Sequence, residues 1–488
     1  RIARNTIARS IGEVVAKLAS IAFYVVMARQ LGGEDFGNFI FGLSLSSIVL
    51  IGAGFGMDQY LARELARDRS KLDTLLSNVL LLKAMMRFGL MGVLAGIVPI
   101  GPYSEETRLA VVLVGLGVGI EMLTQTLHGV TQAYERMSLG ALGLVLQRLA
   151  TAIVGIAILL SGGGLVPATI VFVGGSVFGY VVSYVLMRQG IVRPRFHIDR
   201  SQWTQLLKAG APIGAASLMF TVLLRLDAAL ISFFTNGDQV QVGHYGAAYR
   251  LVDATMFIGV SFSAAMLPWL ARQGSRDLAL LTRGSVIGLK LLTAVLLPIG
   301  TAYIVFAPEL IDLLYGPEFA DAVLPLRFLG AMTVLYGINW YASSLLIARH
   351  RPGAFARGIA AVLVGNVVLN VFLIPPYGAS GAAAAAVVSG VALAVYSVRQ
   401  VWETVGRFTL TRAFAGPLAG SLALAAVALG TGISLWPALV LSGLAYVAVL
   451  AAFERTTFPD DYDLVLGMAG IGRGRAGATD AAQPDDSL

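Results

Sequence analysis

The run VLLRLDAALISFF, residues 222–234, holds Arg225 and Asp227 two positions apart among apolar side chains. Charges inside hydrocarbon are expensive, and where they occur they mark a pathway, an ion pair or an ion site. A guanidinium offers a fork of donors that suits phosphate oxygens, and a carboxylate suits a cation or a proton. Other apolar runs carry Lys17, Lys83, Arg87 and Arg148, with Glu13, Asp58 and Glu121 as acidic counterparts able to neutralise some of them. Lys83 and Arg87 are four apart and share a helix face, which makes sense if an anion lies between them. For Lys83 and Lys290 the alternative is snorkelling to the inner interface. The candidate anion binders are therefore Arg225, Lys17, Lys83, Arg87 and Arg148, and their balance suits a phosphate or pyrophosphate better than a cationic drug. Counted from the loop TNGDQ, Asp227 lies about as far before the turn as Arg250 lies after it, so on antiparallel helices the two reach similar depth and can pair. Asp253, one turn beyond Arg250, can meet Arg225 or a coupling ion. The same four residues can equally form structural pairs between helices.

No other chemistry is visible. There is no Cys, which excludes disulfides, thiolate metal sites and cysteine nucleophiles. The four His (His128, His197, His244, His350) are far apart and read mostly as loop residues. No HExxH, GxSxG, Walker or dinucleotide motif occurs, so no cofactor, no metal site and no enzyme is expected.

The elements that carry these charges follow from composition. Of 488 residues 57% are hydrophobic and 13% charged, with a mean hydropathy of +0.78. Soluble chains hold about 25% charged residues, so this composition predicts an all-α, polytopic membrane protein. No small-residue cleavage site follows the first apolar run, so it reads as a membrane helix and not a cleavable leader. The first residue is not Met, which reads as a missing or processed start. Crossing the hydrocarbon takes about 20 residues of helix. Suitable runs lie at 11–29, 36–57, 75–100, 108–128, 138–160, 165–187, 207–234, 243–268, 284–306, 323–347, 354–374, 380–398, 412–431 and 434–453, giving about 14 transmembrane helices. Every second connection is basic (ARELARDRSK, MRQGIVRPRFHIDR, IARHRPGAFAR) and the others are neutral or acidic (GPYSEET, TNGDQVQ, APELIDLLYGPEFADA). The positive-inside rule then places both termini in the cytoplasm. The net charge of +7 reads as anchoring at the inner face, and no nucleic-acid role is expected.

Short matches recur at an offset of about 210 residues: Gly37 with Gly243, Arg63 with Arg272, Lys83 with Lys290, Arg188 with Arg399. Six helices separate equivalent positions, so the two halves share one orientation about an axis along the membrane normal. The expected plan is an N-terminal six-helix bundle over 1–190, a cytoplasmic linker over 191–206, a parallel six-helix bundle over 207–402, two additional helices over 412–453 and a disordered tail over 454–488. A substrate cleft is expected between the bundles near the midplane, with Arg225 facing it.

The order of several segments resembles the Wzx-type polysaccharide flippases of the multidrug/oligosaccharidyl-lipid/polysaccharide exporter superfamily. ARQLGGEDFGNFIFGLSL followed by GFGMDQYLARELAR looks like their opening helix pair, and LLRLDAALISFFTNGDQVQVGHYGAAYRL like their seventh-to-eighth hairpin. LLYGPEFADAVLPLRFL and NVVLNVFLIPPYGASGAAAA are similar to two later signatures, and the resemblance runs from about residue 1 to 455. It implies a V-shaped cleft, alternating access, a polyprenyl-pyrophosphate-linked glycan as substrate and residence in the bacterial inner (plasma) membrane. H+ or Na+ coupling at Asp227 or Asp253, and polysaccharide polymerase or glycosyltransferase partners, are the associated expectations. The alternatives are a lipid II flippase, a cation-coupled multidrug exporter of the same superfamily and, from another class, a membrane glycan polymerase. The exporter would carry more uncompensated acid in its cleft. The polymerase would show a large outer loop, and the longest here, near 307–322, is short and net acidic.

Overall fold

The computed structural model describes residues 2–54, 56–274, 278–349 and 351–468, and every regular element among them is helical. The first half of the chain forms α1 (Ile2–Ile51), α2 (Met57–Arg67), α3 (Leu72–Ile97), α4 (Glu105–Ala133), α5 (Met137–Leu160) and α6 (Leu165–Gly190). The second half forms α7 (Trp203–Phe234), α8 (Gln239–Gly274), α9 (Leu278–Val305), the short α10 (Ala307–Tyr315), α11 (Val323–Ala348) and α12 (Pro352–Val405). α13 (Thr411–Thr431), α14 (Leu435–Thr457) and α15 (Pro459–Met468) complete it. α1 is two helices joined across Gly32, whose φ of 76° lies in the left-handed region that a Cβ disfavours. α12 is divided in the same way at Gly378, with φ 53°, just after Pro375 and Pro376.

Eleven helices among the described residues are long and apolar enough to cross a membrane, and the chain is a multi-pass membrane protein. The expected fourteen crossings are reached only by counting α1 and α12 as two passes each and adding the 32-residue α7. Small residues let the helices approach closely, as packing without a hydrophobic driving force requires. A Cβ on Gly175 of α6 would stand 1.9 Å from Thr151 Oγ1 of α5.

Two places differ from the sequence reading. The segment expected to be a disordered tail begins with ordered helix: α14 runs to Thr457 and α15 follows, while residues 469–488 lie outside the described residues. A buried charge cluster explains that order. Lys290 Nζ of α9 donates to Glu454 Oε2 at 2.7 Å and to Asp461 Oδ2 at 2.9 Å, and Arg412 forks onto both Asp461 oxygens at 2.9 and 2.7 Å. Lys290 is therefore held in a buried ion-pair cluster. The segment expected as a linker over 191–206 is shorter, because α7 starts at Trp203, and it is fastened to α3. Asp73 accepts from Arg195 N at 2.8 Å, Ser77 from His197 N at 3.1 Å, and Asn78 from both Asp199 N and the Trp203 indole at 3.1 and 2.8 Å.

The end of the molecule that carries the acidic connections is sealed. α1 and α8 meet at Gly37 and Gly243, where a Cβ would lie 1.7 Å from Gln239 O and 2.2 Å from Gly33 O respectively. Glu318, in the turn between α10 and α11, accepts from Gly33 N at 2.9 Å, and Arg29 Nε donates to Leu314 O at 2.7 Å. Phe36 packs edge-on against the fully buried Phe319.

Candidate functional site

A cavity of about 760 Å³ opens away from that seal, toward the basic connections. α1, α2, α4 and α5 supply most of its wall; α7 and α8 supply Arg225, Arg250, Asp253 and Phe257. Its deep end is charged. Lys17 Nζ of α1 meets Asp253 Oδ2 of α8 at 3.1 Å and the Asp253 carbonyl at 3.3 Å, so an ion pair crosses from the first half to the second. Arg148 Nη1 of α5 meets Glu121 Oε1 of α4 at 2.9 Å, and the Gln147 amide donates to the same oxygen at 2.8 Å.

Arg225 and Arg250 are partnered differently from these two. The Arg225 guanidinium lies 5.5 Å from the centre of the Tyr249 ring, and that of Arg250 lies 4.2 Å from the centre of Tyr24. Among the described residues neither lies within ion-pair distance of a carboxylate, and Arg250 Nε is buried without a hydrogen-bond partner. Cation–π contact stabilises a guanidinium but leaves its forked donors available.

The expected Asp227–Arg250 pair is not formed. Asp227 is 3% exposed and turned into the second half, where Oδ2 accepts from Tyr245 at 2.7 Å and Oδ1 from Asn370 at 2.9 Å. Asn370 also donates to Asn366 at 3.0 Å, and its own Oδ1 is buried without a partner. The residue counting that matched depth did not fix rotation about the two helix axes, and Tyr245 takes the position that Arg250 would need. Asp253 pairs with Lys17, while Arg225 stacks on Tyr249.

Lys83 and Arg87 are not on the cavity wall. Lys83 is fully buried between α2, α3 and α4, donating to Asp58 at 2.5 and 2.7 Å and to Thr126 at 2.7 Å. Arg87 is 5% exposed and donates to Gly119 O at 3.1 Å. Asp58 supplies the counter-charge to Lys83 from the cavity side. The lining is formally balanced, with Lys17, Arg148, Arg225 and Arg250 against Glu13, Asp58, Glu121 and Asp253. The expected excess of base is thus absent from the count. It arises through pairing: three of those acids are held by Lys83, Arg148 and Lys17, and among the described residues the two guanidiniums on α7 and α8 are held by rings and by no carboxylate.

The histidines also correct the sequence reading. His128 lies inside α4 on the cavity wall, and His244 is buried inside α8 near Glu318 O at 3.3 Å. His197 is in the linker, and His350 lies outside the described residues. Sequence reasoning missed a set of amides on the wall, Gln59, Gln125 and Gln132. The signal was available in the α4 spacing 121, 125, 128, 132, which puts four polar side chains on one face.

The fold and the cavity together define an all-helical membrane transporter. Its architecture matches the lipid II flippase MurJ in an inward closed conformation, with a TM-score of 0.76 at 17% identity over 93% of this chain and 99% of that one. It also matches an inward-facing multidrug resistance MATE family transporter of the MOP superfamily, with a TM-score of 0.66 at 15% identity over 82% of this chain and 98% of that one. Within that architecture the chain belongs to the polysaccharide biosynthesis protein family, whose sequence profile matches residues 2–273. A curated relative, described as a "probable low-salt glycan biosynthesis flippase Agl15" from Haloferax volcanii, is 23% identical over 400 residues, covering 80% of this chain and 81% of its own.

Proposed function

We propose that this protein moves a polyprenyl-diphosphate-linked oligosaccharide from the inner to the outer leaflet by alternating access. The observation that carries this reading is the pair Arg225 and Arg250, two guanidiniums that face one cavity without a carboxylate partner among the described residues. A diphosphate carries several acceptor oxygens, and two forks on neighbouring helices can take them together. Lys17 and Arg148 lie on the same wall and help once the substrate competes with Asp253 and Glu121. Lys83 and Arg87 act behind the wall by holding Asp58 and α4 in place.

Transport proceeds by loading from the basic, cytoplasmic end, parting of α1 from α8 at the Gly37–Gly243 contact, and release on the acidic side. In this reading the protein works in the inner membrane, as the resemblance implies, and the basic connections favour an orientation with both termini in the cytoplasm. Asp227 is the coupling site for H+ or Na+. It is buried with no cation beside it among the described residues, and the unpartnered Asn370 Oδ1 adds an oxygen donor. The deciding experiment depletes the protein and identifies lipid-linked glycans by mass spectrometry. Accumulation of a polyprenyl-diphosphate oligosaccharide with loss of surface polysaccharide is expected. An unchanged lipid pool with new sensitivity to cationic drugs would replace this reading with a drug exporter.

A further inference from the structure

We propose that the cavity contains a separate sugar-reading site, a rail of carboxamides on α2 and α4 that takes uncharged sugars of the carried lipid. This inference rests on the transport reading above and adds to it the class of glycan. Glu121, Gln125, His128 and Gln132 fall within about 60° of arc on α4 and span about 17 Å along its axis. The rail therefore starts at the charged deep end and runs to the basic mouth. Gln59 of α2 faces the same space. Gln59, Gln125 and Gln132 are all exposed, and none has a hydrogen-bond partner among the described residues. Polar side chains on membrane helices are retained where they line a wet pathway, and three unpartnered amides on one wall have no packing role to explain them.

Their chemistry selects a ligand. A carboxamide presents two donors and an acceptor oxygen, which matches neighbouring sugar hydroxyls or an acetamido group. Met137, Ala141 and Leu144 of α5 line the same cavity with an apolar surface that suits the C–H faces of a sugar ring. The amides add no cation, and the neighbouring Lys83 and Arg148 are already engaged by Asp58 and Glu121, so the rail offers a uronic acid no free counter-charge and favours a neutral sugar. The division of labour is then spatial: the guanidiniums hold the diphosphate at depth, and the amides read the glycan toward the mouth.

The absence of cysteine from the chain makes single-cysteine reporters free of background. Gln132→Cys reports on the rail and Ser20→Cys on the deep end, both in the full chain in proteoliposomes, by the rate of N-ethylmaleimide labelling. The probes are farnesyl diphosphate, the same lipid bearing a linear N-acetylglucosamine oligosaccharide long enough to run the length of the rail, and the same lipid bearing a glucuronic acid oligosaccharide of equal length. Only the N-acetylglucosamine probe should slow labelling at Gln132→Cys, whereas all three should slow it at Ser20→Cys. Adding Gln59→Ala and Gln125→Ala should weaken binding of the N-acetylglucosamine probe about tenfold, the loss of one or two neutral hydrogen bonds. It should leave farnesyl diphosphate binding unchanged. Equal protection of Gln132→Cys by farnesyl diphosphate or the glucuronyl probe overturns the rail and leaves the transport reading standing. So does protection confined to Ser20→Cys. No protection at either position by any probe overturns the transport reading as well.

Discussion

Replacing Gly37 with Ala tests whether the sealed end is the gate. A Cβ there would stand 1.7 Å from Gln239 O, 2.7 Å from its carbonyl carbon and 2.9 Å from Gly243 N. All three are backbone atoms of α8, so no rotamer change can relieve the clash. Ordinary contact begins near 3.4 Å, so the two helices must part by about 1.7 Å at that level. Overpacking of this kind costs about 1–3 kcal/mol. The cost falls only on the state in which α1 and α8 touch, so the equilibrium between sealed and open forms should shift by about 5–150-fold toward opening on the acidic side. The assay uses Ser47→Cys, a cavity position, with a membrane-impermeant thiol reagent applied from the acidic side. Labelling should be slow with Gly37 present and faster by that factor with Gly37→Ala. Gly243→Ala, whose Cβ would lie 2.2 Å from Gly33 O, should act alike. Equal labelling rates in a folded Gly37→Ala protein would show that the α1–α8 contact is not the gate.

Three further outcomes follow from the same geometry. Arg225→Ala should lower transport about 10–150-fold, the loss of a charge-assisted hydrogen bond worth ~1.5–3 kcal/mol, while the thermal melt stays unchanged; Arg225→Lys, lacking the fork, should restore it in part, and undiminished transport in Arg225→Ala would remove this residue from the site. Asp227→Asn should leave a folded protein whose flux no longer responds to a pH or Na+ gradient, measured in proteoliposomes with each gradient imposed separately. At Asp461 burial pushes the carboxyl up, but the hydrogen bonds and charges of Arg412 and Lys290 outweigh it and hold it below the ordinary aspartate range. A depressed carboxylate contributes stability above its unfolded pKa of about 3.9 and loses it as pH falls through the lower folded value. The difference in melting temperature between wild type and Asp461→Asn should therefore be constant from neutral pH down to about pH 5 and vanish in stronger acid.

Length and apolar runs were enough to read an all-helical, multi-pass membrane fold, because membrane insertion acts on composition and needs no tertiary partner. The site was legible in its residue types and not in its pairings. Arg225, Arg148, Lys17 and Asp253 do face one cavity, but which acid meets which base depends on helix rotation, and a slip of one residue turns a side chain by about 100°. The α4 amides were hidden for another reason. Gln carries no charge, so a scan for costly residues passes over it, and only the periodicity of 121, 125, 128 and 132 gives it away.

The two lysines matched by the internal repeat show how far such a repeat constrains a structure. Lys83 and Lys290 occupy corresponding places in α3 and α9, and both are buried. An unpaired buried ammonium is too costly to keep, so each half must supply a carboxylate. In the first half Asp58 of α2 does so, at 2.5 Å. Extending the match of Arg63 with Arg272 by the same offset puts Leu267 where Asp58 would be. The second half therefore lacks its own counter-charge, and Glu454 and Asp461 bring it from α14 and α15. The helices beyond the repeat complete the second bundle electrostatically. Truncation before α14 should destabilise it unless Lys290 is also replaced by Met, and rescue of the truncated chain by Lys290→Met, read as recovered melting temperature, is the outcome that this argument requires.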